Sequence, residues 1–156
     1  MACASGLRAW MVARFRGQRE TFSMGKQFEA PYYSVGVSIY GNVGEAMVAK
    51  ALGVFWMGNA GETNQTDLCG LEVRMSFRAD ANLIIKARDH EDTRVVLVRG
   101  LVFGTHGVSA DIPGWITPRE ARGHPEWFFQ HPERKDARCQ LAPADCLHPM
   151  SELQGS

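Results

Sequence analysis

The chain has 156 residues, with 17 Lys and Arg balanced by 17 Asp and Glu, and 45% of it is hydrophobic against 22% charged. These values exclude a disordered chain and a general polyanion binder: one domain with one core is expected over residues 1–156, and any contact with nucleic acid has to come from a local patch. Four cysteines without a two-residue spacing exclude the usual zinc and redox motifs and fit reduced thiols in the cytoplasm, and no apolar run approaches the length of a membrane span.

Leu7, Trp10, Met11 and Phe15 recur at helical steps, which predicts an amphipathic helix over about residues 5–19 with arginines off its apolar stripe. Arg14, Arg16 and Arg19 form one candidate basic patch; Arg119 with Arg122, and Arg134 with Lys135 and Arg138, form the others. From Thr21 to about Tyr40 the chain reads as an irregular linker, or as one short strand at SVGVSIY. The stretch GNVGEAMVAKALGVFW predicts a helix with Asn42 as N-cap, Glu45 completing a capping box and Gly53 closing it. Four strand-like runs follow, LEVRMSF, NLIIKAR, RVVLVRGLVF and GWIT. The turn clusters RADA and DHED between the first three suggest an antiparallel meander. Thr117, Pro118 and Glu120 carry the cap, first-turn proline and box acid of a short helix, PREAR. The tail reads as an edge strand, a turn and two apolar anchors, Leu147 and Leu153. This order of elements gives a mixed α/β (α+β) domain.

Three carboxylates stand out. Glu45 lies between Val48, Ala49 and Leu52 on the inward side of its predicted helix, so it either caps the N–H of Asn42 or aims a metal-binding oxygen at the edge of the sheet. Asp67 and Glu72 are separated by Gly70, which lets Asp67 sit on a turn while Glu72 enters the strand on the same face as Arg74. Two acids so placed can share a hard divalent cation; as an ordinary surface feature they would be a turn aspartate and the exposed face of an edge strand. His90 falls at a turn tip, Trp115 reads as a packing aromatic, and GNVGE lacks the length and the lysine of a phosphate-binding loop.

The succession GEAMVAKALGVFW, an aspartate shortly before EVR, RDHED, VVLVRG, GWIT, EA and LHPMSEL resembles a group of small bacteriophage and prophage proteins, from about Arg14 to Leu153. That group is similar in three short elements to the PD-(D/E)XK nuclease superfamily. The resemblance implies a restriction-endonuclease-like core, a central mixed sheet of about four to five strands flanked by helices. It also implies magnesium- or manganese-dependent hydrolysis of DNA in the cytoplasm of a bacterial host. Glu45, Asp67 and Glu72 would be the metal ligands, and Arg74 would stand where lysine is usual. Two features depart from the pattern: the gap between Asp67 and Glu72 is short, and the guanidinium of Arg74 stays protonated, so it can hold a phosphate but cannot act as a base. The alternative is a non-catalytic phage accessory protein that binds DNA or a protein partner.

Overall fold

The computed structural model describes residues 31–56, 67–68, 70–105, 107–133 and 137–153. The helix expected at about residues 5–19 lies outside them. The first described element is helix α1 (Pro31–Leu52), 22 residues long. It corrects two expectations, because SVGVSIY is helical and Asn42 lies inside the helix, where it cannot act as its N-cap. Pro31 suits a first helical turn, whose N–H groups have no partner within the helix. One interior glycine serves packing: a Cβ on Gly44 would lie 3.3 Å from Met75 Cβ, so this bare position brings α1 close to the following sheet. The C-terminus matches the expectation. Gly53 is left-handed (φ 69°), its N–H donates to the Lys50 carbonyl, and the N–H of Val54 donates to that of Ala49, which is a Schellman closure.

Among the described residues the strands form two three-stranded sheets, not one sheet of about four to five. In the first, β3 (Arg94–Gly104) is central, flanked by β1 (Leu71–Ser76) in parallel and by β4 (Gly107–Ile116) in an antiparallel hairpin. In the second, β6 (Arg138–Ala142) lies between β2 (Leu83–Lys86) and β5 (Phe128–Gln130), all antiparallel. The expected meander is therefore absent: β2 leaves its sequence neighbours for the other sheet, GWIT is the end of β4, and the predicted edge strand β6 is a central one.

The reason lies in the run Val95–Val98, all four buried. An unbroken apolar strand needs cover on both faces. Val96 and Val98 pack with Val48 and Ala49 of α1 and with Leu68 and Leu71. Val95 and Leu97 turn the other way, onto Leu83, Ile85 and Ala142 of the second sheet and onto Ile116 and Ala121. The first sheet is thus the middle layer, with a core on each side.

Helix α2 (Pro118–Arg122) forms as predicted, with Thr117 and Glu120 exchanging the capping-box hydrogen bonds. The C-terminal segment then crosses β4, where Trp115 and His148 exchange backbone hydrogen bonds of 3.0 and 2.8 Å. Leu147 packs against one core, and Met150 and Leu153 against the other. Among the described residues no helix is long and apolar enough to cross a membrane.

Candidate functional site

Alternation along β1 decides what the site contains. Leu71, Val73 and Met75 pack toward α1, which leaves Glu72 and Arg74 together on the opposite face. Just before the strand, Leu68 and Leu71 exchange backbone hydrogen bonds of 3.1 and 2.7 Å around Gly70, whose φ of 83° suits glycine. This tight turn folds Asp67 back along the strand, where its Oδ2 accepts the Val73 N–H at 2.8 Å. The short gap between the two acids is therefore bridged by a turn, as the sequence requires if both are to serve one place.

Arg74 links the two sheets. Its Nη2 lies 3.1 Å from Glu72 Oε1 and 2.9 Å from Asp89 Oδ1. Asp89 sits in the turn after β2, and its other oxygen accepts the Lys86 N–H at 2.7 Å. Arg122 of α2 stiffens the same turn by donating through Nη2 to the carbonyls of Lys86, Ala87 and Asp89, at 3.4, 3.1 and 2.8 Å. Arg74 Nε is buried and has no hydrogen-bond partner among the described residues.

The charges in this half-buried cluster perturb one another. Burial pushes the Glu72 carboxyl above its ordinary pKa, the negative charge of Asp67 adds to this, and Arg74 only partly offsets it. Burial pushes the Lys86 ammonium below its ordinary value, helped by the like charges of Arg74 and Arg88 and opposed by Asp89 and Glu72. Asp67, Glu72, Arg74, Lys86 and Asp89 thus share one field. Lys86 has no ion pair among the described residues.

Of the four residues singled out in the sequence, Asp67, Glu72 and Arg74 come together. Glu45 accepts a hydrogen bond from the Trp56 indole at 3.1 Å, a contact that replaces the capping box with Asn42. Among the described residues no three His, Cys, Asp or Glu side chains form a group able to hold a metal ion, so Glu45 does not complete a three-carboxylate set. Sequence reasoning missed Lys86 and Asp89, reading RDHED only as a turn. The available signal was an aspartate three residues after a strand-ending lysine, the spacing at which a carboxylate can close the turn onto the backbone N–H of that lysine. Compared with protein-family models, curated proteins and solved structures, the chain matches none.

Proposed function

We propose that the chain is a magnesium-dependent DNA phosphodiesterase of the restriction-endonuclease-like kind, with its site between β1 and the turn after β2. The observation that carries this reading is the convergence of Asp67 and Glu72, close enough for one to raise the pKa of the other, beside the guanidinium of Arg74. Magnesium keeps several waters and commonly takes only one or two protein carboxylates plus phosphate oxygens, so this pair of acids fits it, with manganese as a substitute. Relief of the repulsion between Asp67 and Glu72 is what a cation would contribute to the protein. Bound there, it would polarise a phosphoryl oxygen and make an adjacent water more acidic.

The remaining roles belong to the chain. Arg74, fixed by Asp89, presents a guanidinium toward a phosphate and can stabilise charge that builds on it. Lys86, without an ion pair, supplies the compact and titratable cation that Arg74 cannot be. Expression in the cytoplasm of a phage-infected bacterium goes with this reading. A second reading, a non-catalytic phage accessory protein that binds DNA or a protein partner, is favoured by the arginine at position 74, which can hold a phosphate but stays protonated.

The test is metal-dependent nicking of plasmid and single-stranded DNA by wild type, Glu72→Gln and Arg74→Ala, alongside the melting shift caused by magnesium. Cleavage that falls about 10²- to 10³-fold in Arg74→Ala supports the enzyme. A magnesium-induced rise in Tm that Asp67→Asn abolishes supports the metal pair. DNA binding with no cleavage and no metal shift leaves the accessory protein as the better account.

A further inference from the structure

Where the second sheet meets α2 there is an open-sided cleft of about 130 Å3, and Lys86 in its lining is tied to Arg74 through Asp89, which accepts the Lys86 N–H at 2.7 Å and pairs with Arg74 at 2.9 Å. Strand register puts Ile85, Gln140 and Phe128 in one row across β2, β6 and β5, and therefore on one face. Ile85 is buried and closes the inner end, whereas Phe128 is 54% exposed and stands at the outer end. Between them the side-chain oxygen of Gln140 is buried without a hydrogen-bond partner among the described residues. Arg138, two residues along β6 on the same face, lines the cleft and has no ion pair among the described residues.

Each feature narrows the occupant. The volume is several times the roughly 10–15 Å3 that one water needs, which suits a ring better than a lone ion. A purely apolar guest would leave the Gln140 acceptor unmatched, and an inorganic anion would use Arg138 but not Phe128. A flat heteroaromatic ring carrying N–H donors, attached to a phosphate, uses all three: stacking on Phe128, an edge hydrogen bond to Gln140 and a charge contact to Arg138.

We propose that this cleft takes one unpaired nucleobase of a DNA strand whose backbone passes Lys86 on its way to the Glu72–Arg74 cluster, so that single-stranded or frayed DNA is the substrate class. This rests on the phosphodiesterase reading and gives it a strand preference. A base in a duplex is stacked and paired, and would have to flip out before it could enter.

The experiment is equilibrium binding of the full chain, in EDTA, to a fluorescein-labelled single-stranded oligodeoxynucleotide, to its duplex, and to the same strand made abasic. Wild type should bind the single strand more tightly than the duplex and lose about tenfold or more on the abasic strand. Phe128→Ala and Gln140→Leu should lose a similar factor on the normal strand and nothing further on the abasic one. Phe128 is exposed, and leucine at 140 removes an unmatched amide at similar volume, so a Tm near that of wild type checks that both variants fold. Equal affinity for normal and abasic strands, tighter binding of the duplex, or unchanged affinity in both variants overturns the proposal. Base-dependent binding without any magnesium-dependent cleavage would sustain the nucleobase cleft while removing the hydrolytic reading; cleavage without base dependence would do the reverse, and no binding of any strand overturns both.

Discussion

Glu72 and Glu120 show how neighbours set the sign of a carboxylate's contribution. Burial and the charge of Asp67 raise the pKa of Glu72. An acid raised in the folded state adds stability that is complete below its unfolded pKa and lost as pH climbs through the folded value. Glu72→Gln is therefore expected to melt with wild type below about pH 4 and above it at neutral pH, as thermal scans across pH would show. Glu120 is the opposite case: burial works against its charge, but hydrogen bonds from the Thr117 hydroxyl and N–H and from His148 prevail and lower its pKa. Its contribution is present above the unfolded carboxylate pKa and fades as pH falls through the folded one, so Glu120→Gln should destabilise at neutral pH and converge with wild type in acid. Asp89 is the residue whose loss should cost most in the cluster. Asp89→Ala strips Arg74 of its 2.9 Å partner and Lys86 of a backbone bond, and should lower stability by about 2–4 kcal/mol in urea titrations.

Among the elements, α1 carries the clearest lesson about reading a sequence. Its closing glycine and the capping box of α2 were legible because each is a local signal: a left-handed Gly53, and Thr117 facing Glu120. Its start was not, because Pro31 and Gly36 read as linker residues and Asn42 as a cap where the helix in fact runs on; of the glycines at 41 and 44, contact with β1 explains one. The two positions can be told apart by experiment. A Cβ on Gly41 meets nothing within 4 Å, so Gly41→Ala should gain about 0.5–1 kcal/mol, whereas Gly44→Ala should lose that gain to its approach to Met75. Paired denaturant melts would measure the difference. The acids of the site were legible for the same local reason, Gly70 between Asp67 and Glu72, while Asp89 and Lys86 join them only through the pairing of β2 with a strand more than fifty positions later. No spacing within RDHED reports that.

For the whole molecule, the crossing of the C-terminal segment over β4 fastens both cores at once. A Cβ on Gly114 (φ 154°) would collide with the carbonyl oxygen of His148, a backbone atom that cannot step aside alone. Gly114→Ala should therefore cost more than about 2 kcal/mol and, in hydrogen exchange, loosen residues 144–153 together. The interleaving of the two sheets has a different consequence, one of time. The parallel pair β1 and β3 encloses β2 in sequence, yet β2 finds its partner only in residues 138–142. On a ribosome, β2 emerges before the strand it pairs with, and Val95 and Leu97 wait for the layer that covers them. Folding of the two layers has to be a largely concerted event that waits for residues 138–142, and the many long-range pairings make it slow.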